Sequence, residues 1–386
     1  MIAKRVQYFS ESVIREMTRI ATQAGAINLG QGMPDFDPPE SVKEAACRAI
    51  LDGFNQYAIT WGAPSLRQAI AQKARQFNGI ACDADENVTV CCGATECMMA
   101  TMLALVDPGD EVVIFQPFYE NYGPDALLSG ATPVWVRLHP PDWRFDPDEL
   151  RRAFSPRTRA IIINTPNNPT GRVFTHAELS LIAQLCQEFD AIAIADEIYE
   201  YIRYVDTPHI SIATLPGMAE RTVTISGLSK TFSMTGWRLG YCIAPGPISN
   251  AIRKAHDFLT VGAPHPLQVA GAAALALPQS YYDELCQAYR RRKDVLLPYL
   301  RQAGFELTEP EGAYYVLADI RPLSDADDHT FTRWLIREIG VSGVPGSSFH
   351  TPAQLGQHFI RFMFAKREET LHQAGQRLLQ LRQRLA

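Results

Sequence analysis

The chemistry in this sequence stands where apolar runs stop. Asp196, followed by Glu197 and Tyr199, comes directly after Ala191-Ile192-Ala193-Ile194-Ala195. A carboxylate there can cap a helix or hold a cationic ring nitrogen. Lys230 closes Ser226-Gly227-Leu228-Ser229-Lys230, just past the run Thr222-Val223-Thr224-Ile225-Ser226, and Arg238 follows eight residues later. A lone lysine usually carries a solvated surface charge. One set among hydroxyls with an arginine nearby is an amine beside an anion site, because a neighbouring cation favours the neutral, reactive form. Gly93-Ala94-Thr95 follows Val88-Thr89-Val90-Cys91-Cys92 and opens a helical stretch. Free N–H groups and the dipole of such a helix start attract phosphate, although a plain strand-to-helix turn reads the same way. Asn164-Thr165-Pro166-Asn167-Asn168-Pro169-Thr170-Gly171 adds amide groups to a proline-braced turn.

Together these residues supply a phosphate cradle, an anion-binding arginine, a reactive amine and a strand-end carboxylate. That inventory suits pyridoxal 5′-phosphate (PLP), whose phosphate, aldehyde and pyridine nitrogen each find a partner. It suits a dinucleotide poorly: Gly30-Gln31-Gly32 lacks the third glycine and does not join a strand to a helix. A serine-hydrolase reading lacks the G-x-S-x-G elbow. The eight cysteines show no C-x-x-C, and the nine histidines no ligand spacing, so no metal site is expected and the thiols read mainly as small hydrophobes.

The elements that must position these groups follow from periodicity. Short apolar runs at 88–92, 111–115, 160–164, 191–195 and 222–226 alternate with helical stretches. Such runs suit strands covered on both faces, and hence a mostly parallel sheet. Ligands bind such sheets beyond the carboxyl ends of the strands, where the groups above stand. Thr175-His176-Ala177-Glu178 has capping-box spacing, with Leu179, Ile182, Ala183, Leu185 and Cys186 on one face of the helix it opens. The expected division is an N-terminal arm at 1–40 packing on the small domain, a large α/β domain at 41–281 and a small α+β domain at 282–386. The small domain carries a helix over Tyr282–Ala303, strands near 314–318 and 358–364, and a last helix from about Glu368. A length of 386 residues favours two domains, and 46% hydrophobic content excludes a disordered chain. The net charge of −6 without a basic run leaves no footprint for nucleic acid. The chain shows no apolar span of membrane length and no apolar leader after Met1, so a cytoplasmic location is expected.

The motifs Asn168-Pro169-Thr170-Gly171, Asp196-Glu197-Ile198-Tyr199 and Ser229-Lys230-Thr231-Phe232-Ser233-Met234-Thr235-Gly236-Trp237-Arg238-Leu239-Gly240 resemble the PLP-dependent class I/II aminotransferases of fold type I. Ile27–Phe36, Asn55-Gln56-Tyr57 and Ile360–Lys366 are similar to the methionine aminotransferase and kynurenine/glutamine aminotransferase branch. The resemblance implies a seven-stranded, mostly parallel sheet sandwiched by helices, plus the smaller domain. It implies that Lys230 binds PLP covalently, that Asp196 pairs with the ring nitrogen, and that Asn168 and Tyr199 hydrogen-bond the ring oxygen. Tyr119 matches the residue that stacks on the ring, and Ala94, Thr95, Ser226, Ser229 and Arg238 match the phosphate and cofactor contacts. Tyr57 matches a tyrosine donated to the neighbouring subunit, which implies a homodimer with shared sites. Arg361 matches the grip on the substrate α-carboxylate, with Gly32 and Asn168 beside it. Where many relatives carry serine three residues before the lysine, this chain has Gly227, and after Phe258 it reads Leu259-Thr260-Val261-Gly262-Ala263 where relatives often carry an aromatic residue.

The implied activity is ping-pong transfer of an amino group from an apolar, sulfur-containing or aromatic amino acid, methionine first, to a 2-oxo acid. No second arginine suited to a distal carboxylate is identifiable from the sequence. Two alternatives stand beside it: kynurenine/glutamine transamination with C–S β-lyase activity on cysteine conjugates, and a PLP-binding regulator without catalysis.

Overall fold

The computed structural model describes residues 3, 6, 7, 9 and 11–385, so parts of the expected arm lie outside the described residues. Its centre is a seven-stranded sheet. The strands are β1 (Val88–Cys91), β2 (Glu111–Gln116), β3 (Thr132–Arg137), β4 (Thr158–Asn164), β5 (Ile192–Asp196), β6 (Thr222–Gly227) and β7 (Gly240–Ile243). Their spatial order is β1-β7-β6-β5-β4-β2-β3. Only β7 runs against its neighbours; every other pair is parallel. Five of these strands match the apolar runs. The other two escape that reading for local reasons: β3 is an edge strand holding Pro133, which an edge tolerates, and β7 has four residues and begins with glycine.

The sheet is buried on both faces, as the unbroken apolar runs require. Val113, Phe115, Ile161, Ile163, Ala193 and Ala195 pack with Leu179, Ile182 and Leu185 of the helix His176–Glu188. Their alternates Val112, Ile114, Ala160, Ile162, Ile194, Val223 and Ile225 pack on the other face with Cys97, Met98 and Met102 of the helix Ala94–Leu105. Thr175 and Glu178 form the full reciprocal cap at the start of the helix His176–Glu188. Such a cap is worth about 1 kcal/mol.

Beyond this sheet, Val344–Pro345, Phe359–Met363, Tyr315–Asp319 and Glu306–Leu307 form a separate antiparallel sheet. The long helix Gln279–Ala303 and the helix Glu368–Leu378 share its core through Leu296, Leu297, Leu300, Leu371 and Leu378. The N-terminal segment touches both parts. Ile27–Asn28 pairs in parallel with Val341–Ser342, while Ser12 Oγ donates to Glu120 Oε2 at 2.5 Å. No helix among the described residues is long and apolar enough to cross a membrane.

Candidate active site

The parallel register brings the ends of β4 and β5 level, so Asn164 stands opposite Asp196. Lys230 lies in the short helix Leu228–Thr231 that begins as β6 ends. A cavity of about 440 Å³ opens beyond these strand ends. Gly32, Ala94, Thr95, Tyr119, Asn168, Asp196, Tyr199, Ser229, Lys230, Arg238 and Arg361 all line it.

Two expected residues do not line it. Ser226 still belongs to β6, and its hydroxyl donates to Glu200 Oε1 at 2.7 Å, within a buried ion pair between Lys73 and Glu200 of 2.5 Å. The expectation that Ser226 contacts the cofactor is therefore corrected: its side chain is committed to a buried charge network outside the cavity. Tyr57 is 83% exposed and stands outside the cavity walls.

Asp196 is a buried carboxylate without a cationic hydrogen-bond partner among the described residues. Tyr122 donates its hydroxyl to Oδ2 at 2.6 Å, and the Ile198 N–H donates to Oδ1 at 3.2 Å. Burial pushes its pKa up to about 6, against the opposing pull of Tyr122, Ile198 and Lys230. Asn164 braces the same turn: its Nδ2 donates to the Asp196 carbonyl at 2.9 Å, and its Oδ1 accepts from the Asn168 N–H at 2.7 Å. Tyr122→Phe removes the stronger of the carboxylate's two donors. In the cofactor-free protein the Asp196 pKa is then expected to climb further by about 1–2 units, the equivalent of one hydrogen bond to a charged group. Carboxyl ¹³C titration reads the shift directly.

Lys230 Nζ donates to the Gly32 carbonyl at 3.3 Å and lies 5.8 Å from the centre of the Tyr314 ring. Burial lowers its pKa, and Arg361 and Arg238 push the same way. Tyr199 and Tyr315 join their hydroxyls at 3.2 Å on the cavity wall. Burial alone would raise the Tyr315 phenol, but Lys230, Arg361 and Tyr199 together hold it below its ordinary value.

Arg361 sits in the strand Phe359–Met363 of the smaller sheet and is 1% exposed. Its guanidinium donates to Asn168 Oδ1 at 2.8 Å and to the Gly30 carbonyl at 2.7 Å. It packs 4.3 Å from the Tyr315 ring centre and 4.8 Å from that of Phe349. These contacts are neutral, and its Nε has no hydrogen-bond partner among the described residues. A buried cation held this way has its geometry set and its charge unanswered, which is the state of a receptor for a carboxylate.

Arg238 closes the opposite end. Its φ of 55° puts it in the left-handed region, and its guanidinium donates to the carbonyls of Thr235 and Cys92 at 3.2 and 3.4 Å. A Cβ on Gly93, whose φ is +86°, would lie 2.5 Å from Arg238 Nη2. Only glycine admits the guanidinium to the helix start where Ala94 and Thr95 line the cavity.

Sequence reasoning missed Tyr122, Tyr315, Asp125 and Arg15 and named Asn164 only as part of the turn 164–171; all five line the cavity. The available signal for Tyr122 and Asp125 was helical spacing after Tyr119, since 119, 122 and 125 recur every three residues. Arg15 lies in the helix Val13–Gln23 and comes to the cavity only through the tertiary fold. Asp125 is buried, with Oδ2 unpartnered, and burial raises its pKa to about 8. Its folded value lies above its unfolded one, so its contribution to stability is fully present only at low pH and is lost as pH rises from about 4 to about 8. Asp125→Ala is accordingly expected to raise Tm at pH 8 by at least ~2–4 °C. The gain should vanish near pH 4, and scanning fluorimetry across that range would expose a wrong sign.

The site thus brings together an amine, a buried carboxylate lacking a cation, a buried arginine lacking an anion, and a cationic helix start. It can hold a molecule with a phosphate at one end and a protonated ring nitrogen at the other, and grip a second carboxylate beside the amine. Comparison with known proteins agrees. Residues 24–378 match the family described as aminotransferase class I and II. The methionine aminotransferase of Escherichia coli (strain K12) is 40% identical over 370 residues, covering 96% of each chain. Human kynurenine–oxoglutarate transaminase 1 is 37% identical over 94% of each chain. The solved structure of N-succinyldiaminopimelate aminotransferase from Mycobacterium tuberculosis superposes with a TM-score of 0.96 at 40% identity, covering 99% of this chain and all of the other.

Proposed function

This chain belongs to the aminotransferase class I and II family, and from that premise we propose that it moves the amino group of methionine, or of another apolar or aromatic amino acid, to a 2-oxo acid by a ping-pong cycle. The enzyme is an aminotransferase, and the family generally uses PLP. The observation that carries the reading is Arg361, buried and without a salt bridge among the described residues, facing the same cavity as Lys230 and Asp196.

The residues fit PLP. Asp196 offers an unanswered buried negative charge to a pyridinium, Tyr199 and Asn168 offer polar atoms for the ring oxygen, and Tyr119 offers a ring to stack. Ala94, Thr95, Ser229 and Arg238 line the phosphate end of the cavity, and a Cβ on Gly93 would collide with the Arg238 guanidinium there. When bound, PLP supplies a protonated pyridine that accepts the electron pair left as the amino acid's Cα–H bond breaks. Arg361 forks onto the α-carboxylate and fixes which bond at Cα faces Lys230. Burial and two arginines lower the basicity of Lys230 Nζ, which as the free amine accepts that proton and returns it on the next step. Asp196 stays ionised against a cation, although it is only half ionised near pH 6 when alone.

The same reading covers the assembly and the division of the chain into arm, large domain and small domain. Leu51, Phe54, Tyr57 and Phe258 are exposed apolar side chains, and Leu51, Tyr57 and Phe258 exceed 80% exposure. Such surface suits a homodimer in which Tyr57 reaches the partner's phosphate site. A second substrate reading has one observation behind it: Arg15 supplies a cation on the cavity wall besides Arg238 and Arg361, and it could receive a distal carboxylate. A half-reaction screen over the twenty amino acids and N-succinyl-diaminopimelate, followed by cofactor absorbance, decides the matter. Turnover of methionine, phenylalanine or kynurenine with an amino acceptor required supports the main reading. Reaction with only acidic donors, or pyruvate release from cysteine conjugates without an acceptor, rejects it.

A further inference from the structure

We infer that Cys91, Cys97 and Cys242 form a three-sulfur site for one soft, closed-shell metal cation, set in the core behind the phosphate-binding turn. The three come from separate elements: the end of β1, the first turns of the helix Ala94–Leu105, and β7. No sequence spacing announces them. The antiparallel register pairs Thr89 with Cys242 and Cys91 with Gly240, so Cys91 and Cys242 are diagonal neighbours on one face of the sheet. The helix that follows β1 folds back over that face and brings Cys97 down onto both. All three sulfurs lie within 4.8 Å of one another, and none of the three residues is more than 1% exposed. Metal–thiolate bonds of about 2.3 Å in a trigonal array put sulfurs roughly 4 Å apart, so the sulfurs need close by less than an ångström.

Small apolar packing accounts for a cysteine one at a time. Cys82 and Cys186 are buried in that manner, and neither belongs to such a cluster. Convergence of three thiols is a different pattern, because thiolate sets select soft cations over magnesium or calcium. The surroundings also answer the charge. A divalent cation with three thiolates carries one net negative charge. Arg253 donates from Nε to Thr89 Oγ1 at 3.2 Å, on the residue paired with Cys242, and its remaining hydrogen bonds go to the carbonyls of Asp85 and Val88. It thus hydrogen-bonds only neutral acceptors and is available as the counter-charge. His256 and Glu96, also close to Cys91, are joined to each other at 2.7 Å, and His256 is held further by the Thr60 carbonyl. They border the site as a committed pair rather than as ligands. Each metal–sulfur bond that forms releases the thiol proton to solvent, with no change in oxidation state.

Cd(II), added to reduced holoenzyme and left to equilibrate in the absence of oxygen, tests this. One equivalent per chain is expected to generate an ultraviolet thiolate-to-metal charge-transfer band that saturates. Loss of the outer hydrogen-bond partners of a metal ligand weakens binding about 10–100-fold, so losing a sulfur itself in Cys97→Ala should weaken Cd(II) binding by at least ~100-fold. Cys47→Ser, at an exposed thiol, should leave both band and affinity intact. Cys242→Ala gives the same expectation from a different element, should Cys97→Ala unfold. Absence of a saturating band from the native holoenzyme overturns the site, as does an undiminished band in either folded variant.

Discussion

Lys230→Ala is expected to lower transamination turnover by at least ~10⁴-fold, the upper end of what one proton-transferring group contributes. Among the described residues this lysine has no stabilising ion pair. Its one hydrogen bond goes to the Gly32 carbonyl, and burial together with Arg361 and Arg238 keeps its amine short of its usual basicity. Taking away such a group removes a buried amine that burial disfavours in its charged form, and should leave Tm unchanged or slightly higher. The companion variant Lys230→Arg separates the roles. Arginine preserves charge and bulk but holds its proton at every working pH, so it cannot relay one. Equal inactivity of both variants, with unchanged folding by circular dichroism, matches a proton carrier. Recovery of even a few per cent of turnover in Lys230→Arg would reduce position 230 to an electrostatic support.

The second large effect belongs to Arg361. Removing one partner of a buried, hydrogen-bonded charge pair costs about 3–5 kcal/mol, so Arg361→Ala should depress kcat/KM by ~150- to 4,000-fold. The loss should concentrate in KM for substrates with a free α-carboxylate, because the guanidinium is already oriented by Asn168, Gly30, Tyr315 and Phe349 before any substrate arrives. Amines lacking the carboxylate provide the control: wild-type and variant should handle them alike. Arg361→Lys should rescue little, since an ammonium cannot fork onto two oxygens and would leave Asn168 Oδ1 or the Gly30 carbonyl without its donor. A variant whose KM stayed within twofold of wild type would place the α-carboxylate elsewhere in the cavity, with Arg15 the next group to examine.

Much of this site was legible before any coordinates. Lys230, Asp196, Asn168 and Arg238 follow strands or turns whose apolar runs and prolines mark them in the chain, and all four line the cavity. Ser226 shows the limit of that reading. It stands one residue before Gly227 in the same motif, yet the strand runs through Gly227 and its hydroxyl meets Glu200 instead. What a strand residue's hydroxyl meets is decided by the groups packed around it, here Glu200 paired with Lys73, and a single sequence does not display that packing. Tyr122 was missed for a related reason: its importance lies in a 2.6 Å contact with a carboxylate 74 residues away.

Local order and chemical type were thus set by the residues themselves. Alternating strands and helices, the capped helix at Thr175 and the lysine among hydroxyls all depend on interactions within a few residues. Only the folded chain decided which distant groups share one volume: Arg361 from the smaller sheet beside Asn168, Arg15 from the N-terminal helix, and three cysteines on one face of the large sheet. The reason is physical. Hydrogen-bonded periodicity and capping act over one helical turn or one strand, whereas burial and charge depend on every element packed around a side chain.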